Sequence, residues 1–328
     1  MARIFVIANQ KGGVGKTTTS VNLAAALARL GQRTLLVDLD PQGNATMGSG
    51  IDKRSLERTV YQVLIGLSDV VEATRQAPGV DYAVLPANRE LAGAELELVD
   101  FDERETRLKD ALTAVDDLYD FVLIDCPPSL SLLTLNGFCA AHGVIIPMQC
   151  EYFALEGLSD LVNTIKKIHA NFNTELRIIG LLRVMFDPRV TLSQQVSAQL
   201  EQHFGDKVFR TIIPRNVRLA EAPSYGLPGV IFDPQSKGAK AYMAFGAELV
   251  ARMRSLAPAA GAAGEDAAGA ARHEPGAPAT PATPAAPAAP AEPAEPAEPA
   301  EPAEPAEPAA PAASSERAAQ SNKPGETR

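Results

Sequence analysis

A glycine-rich loop near the N-terminus limits the folds open to this chain most strongly. The loop consists of Lys11, Gly12, Gly13, Val14, Gly15, Lys16, Thr17 and Thr18. An apolar segment, 3–8, comes immediately before it, and an alanine-rich segment, 17–30, follows. Glycines let the backbone turn with its N–H groups facing inward, and the following helix directs its positive end at an anion. The order of strand, glycine loop and helix therefore predicts a phosphate-binding turn in an α/β domain.

The loop carries two lysines, although phosphate binding requires only one. Lys16 can reach the β- and γ-phosphates of a nucleotide, and the hydroxyl of Thr17 can ligate Mg²⁺. Lys11 lies at the start of the loop, and Gln10 stands where the usual pattern has its first glycine. We expect ATP and Mg²⁺ at this loop, with Lys16 and Thr17 as ligands. Lys11 requires a separate explanation.

The rest of the pattern predicts a doubly wound, mostly parallel sheet. Short apolar runs alternate with longer helical stretches, and most runs are continuous, as expected for strands that are covered on both faces. The predicted strands are 3–8, 34–38, 82–85, 121–125, 144–147, 177–182 and 208–213. The predicted helices are 17–30, 132–141, 155–172, 192–204 and 239–253. We assign residues 1–256 to one α/β domain of the P-loop NTPase class.

Acidic residues stand at the carboxyl ends of two predicted strands. Asp38 and Asp40 follow the second strand, and Asp125 ends the strand at 121–125. Ligands of open parallel sheets bind beyond these strand ends, so we expect the three carboxylates beside the phosphate loop. We predict that Asp125 acts on the metal through water and that Asp40 orients the attacking water. Asp38 is a second metal candidate, and a structural role for it stays open.

Residues 257–328 differ from the rest of the chain in composition. They contain no Val, Ile, Phe or Tyr, so they cannot bury enough apolar surface to offset the entropy of ordering. Glutamates recur at every third position from Glu292 to Glu307, in the repeat Glu-Pro-Ala. We expect a disordered tail that acts as a charged spacer, and a specific docking site is the alternative.

Charge and cysteine content narrow the partners and the compartment. The formal net charge is −10, of which the tail contributes −7 from 11 acidic and 4 basic residues, so residues 1–256 are about −3. Residues 183–240 hold eight basic and five acidic residues, a local excess of about +3. The three cysteines are widely spaced, and we expect buried, reduced thiols in a cytoplasmic protein. No apolar run approaches the length of a membrane span, so no membrane partner is expected.

Four separated motifs resemble those of the deviant Walker A ATPases. They are KGGVGKTT at 11–18, DLDPQGN at 38–44, LIDCPPS at 123–129 and PRNVRLAEAPS at 214–224. Within that group the chain is similar to the ParA/Soj partitioning proteins, over about residues 1 to 254. The resemblance implies that ATP joins two subunits into a homodimer, that the dimer binds nucleoid DNA without sequence preference, and that a ParB-type centromere-binding partner stimulates hydrolysis. Without that partner, the ATPase should be slow.

The resemblance also assigns roles to particular residues. Lys11 matches the family's signature lysine, which crosses the dimer interface to the phosphates of the other subunit. Gly12 must stay small so that the two subunits can approach. Pro214 and Asn216 match positions that contact adenine, and Asp40 matches the residue whose loss traps the ATP dimer.

Two arginines, Arg189 and Arg218, match positions that serve DNA binding in ParA/Soj relatives. A dimer doubles their number, and binding through counterion release grows with the number of phosphates contacted. A solvated surface arginine is the alternative for either residue. The sequence has no recognition-helix signature and no tryptophan, so we do not expect base-specific reading.

Two other functions use the same nucleotide site. Orphan ParA-like proteins position other cargo by ATP-gated DNA binding, for example chemoreceptor arrays or microcompartments, and no residue motif selects the cargo. Division-site regulators of the MinD type end in a basic amphipathic helix that lies in the membrane interface. This chain continues instead into an acidic tail, which an anionic membrane would repel.

Overall fold

The computed structural model describes residues 1–256 of the 328, and the tail predicted to be disordered lies outside the described residues. The strands are β1 Arg3–Ile7, β2 Thr34–Asp38, β3 Arg75–Gln76, β4 Ala83–Leu85, β5 Phe121–Asp125, β6 Gly143–Met148, β7 Arg177–Phe186 and β8 Val208–Pro214. The helices are α1 Lys16–Arg29, α2 Asn44–Gly48, α3 Val60–Leu64, α4 Val70–Ala73, α5 Leu91–Glu97, α6 Arg107–Leu112, α7 Leu132–Ala140, α8 Ala154–Asn171, α9 Thr191–Phe204, α10 Val217–Glu221, α11 Gly229–Phe232 and α12 Lys237–Leu256.

The strands form one sheet in the order β3-β4-β2-β5-β1-β6-β7-β8. Each pair of neighbours is parallel except β3 with β4, which is antiparallel. The register sets Asp125 of β5 beside Ile7 of β1 and beside Asp38 of β2. The carboxyl ends of these three strands therefore meet at one edge of the sheet, and the predicted fold class is confirmed.

Apolar side chains on alternating faces of the sheet form two cores. In β1, Ile4 and Val6 belong to the core covered by α3 to α9, whereas Phe5 and Ile7 belong to the core beneath α1, α11 and α12. Coverage of both faces explains why the strands read as continuous apolar runs. No helix within residues 1–256 combines the length and the apolar character needed to cross a membrane.

All seven predicted strands and five predicted helices are present, with their ends moved by a few residues. Strand β7 runs further than predicted, to Phe186. The short β3 and the helices of four to seven residues were missed. Helices this short bury too few side chains to produce a visible periodicity.

Candidate nucleotide-binding site

The glycine loop turns tightly between β1 and α1. Gly13 and Gly15 have φ angles of 73° and 74°, a left-handed conformation that glycine adopts without strain. Helix α1 begins at Lys16, directly after this turn. The loop therefore presents the N-terminal end of α1, with its unpaired backbone N–H groups, to a bound anion.

Lys16 is buried and reaches back across the loop. Its Nζ donates a hydrogen bond to the carbonyl oxygen of Lys11 at 3.0 Å. Burial lowers the pKa of Lys16, and the nearby carboxylates of Asp125 and Asp40 oppose that effect. The ammonium group thus lies over the loop, where the phosphates of a nucleotide would meet it.

The carboxylate of Asp125 lies beneath the start of α1. Thr17 Oγ1 donates to its Oδ2 at 2.8 Å, and Ser20 Oγ donates to its Oδ1 at 2.7 Å. Burial of Asp125, together with the neighbouring Asp38, raises its pKa to about 7. Sequence reasoning missed Ser20, although a residue three positions after Thr17 lies on the same face of a helix.

Asp38 is tied to the loop that follows its own strand. Its Oδ2 accepts hydrogen bonds from N and Oγ1 of Thr46, both at 2.8 Å, and its Oδ1 accepts from N of Asp40 at 3.1 Å. Thr46 Oγ1 also accepts from N of Ala87 at 2.9 Å. Burial raises the pKa of Asp38 to about 6. These bonds tie Asp38 to the loop that follows β2, whereas those of Asp125 reach the start of α1, so the geometry favours the structural alternative for Asp38.

Asp40 lies two residues beyond the end of β2 and is partly exposed. Its Oδ1 accepts a hydrogen bond from N of Gln42 at 2.9 Å. Its charge opposes the lowering of the pKa of Lys16 by burial and adds a small part to the raised pKa of Asp125.

A pocket of about 330 Å³ lies between the loop and the ends of β7 and β8. Its lining includes Gly15, Thr18, Met185, Pro214 and Asn216. The Oδ1 of Asn216 also caps α10. Met185 has a φ of 50°, which is uncommon for a residue other than glycine, and sequence reasoning missed it. The pocket lies between the phosphate loop and the motif at 214–224, a location that suits a nucleotide base.

A larger groove, of about 730 Å³, lies at the opposite end of β7 and β8. The starts of both strands and the last turns of α12 line it, and it shares no residue with the phosphate loop. The nucleotide site is therefore identified by the phosphate loop and not by the volume of the cavity.

The side chain of Lys11 extends toward the connection between β6 and α8. Its Nζ forms an ion pair with Glu151, in which the two side chains are 46% and 49% exposed. Gln149 of the same connection donates from Nε2 to the carbonyl oxygen of Gly13 at 3.3 Å. No sequence signal pointed to Glu151. Within one subunit, the ammonium group of Lys16 thus lies over the loop, and that of Lys11 lies beside Glu151.

Gly12 faces open space. Its φ lies outside the left-handed region, and a Cβ added to it would have no heavy atom within 4 Å among residues 1–256. In the described part of the chain, therefore, neither backbone conformation nor packing requires a glycine at this position.

Both candidate DNA-binding arginines are exposed and paired with acids of their own subunit. Arg189 donates to the two oxygens of Asp187 at 2.9 and 2.7 Å, which lowers the pKa of Asp187 to about 2. Arg218 pairs with Glu221 at 2.8 Å and with Asp233 at 3.5 Å. Exposed pairs of this kind contribute little to stability, so the guanidinium groups can exchange these partners for phosphates.

The three cysteines, Cys126, Cys139 and Cys150, are buried and form no disulfide, as expected. Burial raises the pKa of Cys139 and of Cys150 to about 11. The described residues contain no cluster of three or more His, Cys, Asp or Glu side chains that could hold a metal ion alone. A magnesium ion held mainly by nucleotide phosphates, water and Thr17 is compatible with this donor set.

The sheet and the loop together define a class of protein. A strand, a glycine loop that opens a helix at Lys-Thr, and a strand-end carboxylate beneath that helix are the parts of a P-loop nucleoside-triphosphate-binding protein. In agreement, residues 2–178 match the family described as an AAA domain.

Relatives narrow this class. The chain is 53% identical over 251 residues to the sporulation initiation inhibitor protein Soj of Bacillus subtilis (strain 168), which covers 76% of this chain and 99% of that protein. It is 52% identical over 252 residues to the chromosome-partitioning ATPase Soj of Treponema pallidum (strain Nichols), and this match covers 77% of this chain and 98% of that protein. The chain therefore belongs to the ParA/Soj family.

A solved structure has the same fold. It is the cobyrinic acid a,c-diamide synthase from Mycobacterium smegmatis with bound ADP and magnesium, which is 40% identical, with a TM-score of 0.69. The match covers 78% of this chain and 96% of that one.

Proposed function

We propose that this chain is an ATPase of chromosome partitioning, in which ATP and Mg²⁺ drive homodimerisation and the dimer binds DNA without sequence preference. The observation that carries the proposal is the different placement of the two lysines, with Lys16 folded over the loop and Lys11 directed away from it, to the half-exposed Glu151. The Soj relatives, one of them described as a chromosome-partitioning ATPase, support the role in partitioning. The relative with bound ADP and magnesium supports the ligands.

The loop residues suit a magnesium nucleotide. Lys16 exchanges the carbonyl of Lys11 for the β- and γ-phosphates, and the backbone N–H groups of residues 12–18 surround them. Thr17 would ligate the metal, and Asp125, which accepts a hydrogen bond from Thr17, would act on it through water. Bound Mg²⁺ supplies positive charge against the phosphate oxygens. Pro214 and Asn216 hold the adenine in the pocket beside β8.

Hydrolysis uses Asp40 to orient the attacking water, because its carboxylate stands beyond the end of β2 beside the loop. The phosphate loop and the two motifs that carry the acidic residues contain no arginine, and we expect none within the subunit to stabilise the transition state. Hydrolysis is therefore slow until a ParB-type partner binds, and it then returns the dimer to monomers.

Lys11 and Gly12 make ATP a signal for dimerisation. Two triphosphates brought close together repel each other, and a lysine from the opposite subunit supplies the charge that one loop lacks. The open space at Gly12 supports a close approach of the two loops. A Cβ at position 12 would have no described atom of its own subunit within 4 Å, but it would stand between the two subunits.

DNA binding places Arg189 and Arg218 of both subunits on the phosphate backbone. Each arginine exchanges an exposed acidic partner for a phosphate, and the dimer doubles the number of such arginines. The cargo is the chromosome origin. An orphan ParA-like protein that positions another cargo is the alternative, and a neighbouring ParB-like reading frame would distinguish the two.

The test compares Lys11→Ala, Lys16→Ala and, as a control, Lys166→Ala on the exposed surface of α8. Light scattering measures the mass of each protein with ATP and Mg²⁺, and a nucleotide-binding assay runs beside it. We expect Lys11→Ala to bind nucleotide and stay monomeric, Lys16→Ala to lose nucleotide, and the control to dimerise. An intact ATP dimer of Lys11→Ala would overturn the assignment of Lys11 to the opposite subunit.

A further inference from the structure

Contacts within the subunit hold both the backbone and the ammonium group of Lys11. Its backbone N donates to Oδ1 of Asn9 at 3.0 Å, and its carbonyl oxygen accepts from Nζ of Lys16 at 3.0 Å. Its own ammonium is paired with Glu151. The residue that the proposed function sends to the opposite subunit is thus bound to its own subunit before any nucleotide arrives.

We propose that Glu151 is a positioning residue that keeps Lys11 within its own subunit and so raises the threshold for ATP-driven dimerisation. This inference rests on the proposed function, in which Lys11 acts on the phosphates of the opposite subunit. Glu151 touches no reacting atom. It acts only through Lys11.

Among the described residues, the side chain of Glu151 makes no bond other than the one to Lys11. Glu151 lies before α8, whose N-terminal cap is Phe153 without a side-chain bond. Glu151 contributes to the local structure through its backbone alone: its carbonyl oxygen accepts from N of Ala154 at 3.0 Å, and its N donates to the carbonyl oxygen of Gln149 at 3.0 Å. A change of the carboxylate therefore leaves the local backbone bonds in place.

Nucleotide binding loosens one of the restraints on Lys11. When Lys16 turns to the phosphates, it leaves the carbonyl oxygen of Lys11, and the pair with Glu151 remains. The ammonium of Lys11 cannot serve Glu151 and the phosphates of another subunit together. Each subunit must therefore break its pair with Glu151 before the dimer closes, so that nucleotide binding and dimerisation remain separate steps.

The expected effect follows from the exposure of this pair. An ion pair whose side chains are about half exposed changes an equilibrium by roughly 1.4- to 5-fold. The dimer breaks two such pairs, one in each subunit, so the factor applies twice. Loss of the Glu151 charge should strengthen dimerisation by about 2- to 30-fold, without a change in nucleotide affinity per subunit.

The experiment compares Glu151→Gln with Glu156→Gln in the full chain. Glu156 is exposed on the first turn of α8 and has no ion pair among the described residues. Its replacement by glutamine changes the net charge by the same amount as Glu151→Gln. Sedimentation with a non-hydrolysable ATP analogue and Mg²⁺ gives the dimerisation constant, and the same run with ADP gives the background. Glu151→Asp, whose shorter side chain weakens the pair, serves as a second variant and should lie between the native protein and Glu151→Gln.

We expect Glu151→Gln to dimerise at lower protein concentration than Glu156→Gln, to remain monomeric with ADP, and to bind the analogue with native affinity. Equal dimerisation of the two variants would overturn the role of Glu151. A weaker dimer of Glu151→Gln would overturn it too, because Glu151 would then stabilise the dimer. If Lys11→Ala dimerises normally, the proposed function fails. If Lys11→Ala stays monomeric and Glu151→Gln matches its control, only the present inference fails.

Discussion

Replacement of Asp125 by asparagine should make the nucleotide-free protein more stable while it removes the ATPase activity. The carboxyl of Asp125 is fully buried, and its pKa rises from 3.8 to about 7. Above pH 7 the folded protein therefore holds a buried charge that the unfolded chain exposes to water. Asparagine keeps an oxygen that accepts from Thr17 or Ser20 and carries no charge.

The magnitude and the pH dependence follow from proton linkage. Between pH of about 4 and about 7 the native carboxyl retains a proton that the unfolded chain has released, so the free energy of unfolding falls as the pH rises. A pKa difference of this size corresponds to about 4 kcal/mol. Part of this energy is repulsion between Asp125 and Asp38, and Asp125→Asn also loses one of the charge-assisted hydrogen bonds from Thr17 and Ser20. We therefore expect the free energy of unfolding to rise by about 1 to 3 kcal/mol at pH 8.

Urea unfolding of the protein without nucleotide and Mg²⁺, at pH 5 and pH 8, measures this gain. The advantage of Asp125→Asn should be largest at pH 8 and should shrink toward pH 5. The exposed Asp81 provides the control, since Asp81→Asn should change neither value by more than about 0.5 kcal/mol. An Asp125→Asn protein that is less stable than the native protein at pH 8 would refute the reasoning.

Three further changes test other parts of the site. Asp40→Ala should give an ATP dimer that stays on DNA, because the binding groups remain while the water loses its guide; normal turnover in an ATPase assay would contradict this. Arg189→Glu or Arg218→Glu should weaken binding to two unrelated DNA sequences alike and lower the slope of log affinity against log salt by about 0.9 for each DNA phosphate that the variant no longer binds. An unchanged slope would place the DNA surface elsewhere. Gly12→Val should have a free energy of unfolding within about 0.5 kcal/mol of the native protein yet remain monomeric with ATP in light scattering, since no described atom lies within 4 Å of the added Cβ. A normal dimer of this variant would show that the loops do not approach closely.

The sequence predicted those parts of the structure that arise from local patterns. Buried parallel strands and long amphipathic helices leave continuous or periodic apolar runs, so the sheet, α1 and α8 were found. The loop and Asp125 were found because strand, turn and helix lie next to each other in the chain. Strand β3 was missed because two residues at a sheet edge carry no pattern.

Contacts between distant residues could not be predicted in this way. Glu151 meets Lys11 across 140 positions of sequence, and an exposed glutamate before a helix looks like any other surface acid. Thr46 reaches Asp38 only because α2, a helix of five residues, turns back onto the end of β2. Met185, with its unusual φ, lies where the register between β7 and β8 shifts, and a single sequence does not reveal such a shift.

The buried thiols make site-specific fluorescent labelling of the protein practical. All three cysteines of the chain are buried, and burial raises the pKa of each, so none offers a readily formed thiolate to a maleimide dye. One cysteine introduced at an exposed position such as Ser159 would thus label selectively in the otherwise native chain. Subunits labelled separately with donor and acceptor dyes would report each association and each release as a change in energy transfer, in real time and at single-molecule concentrations.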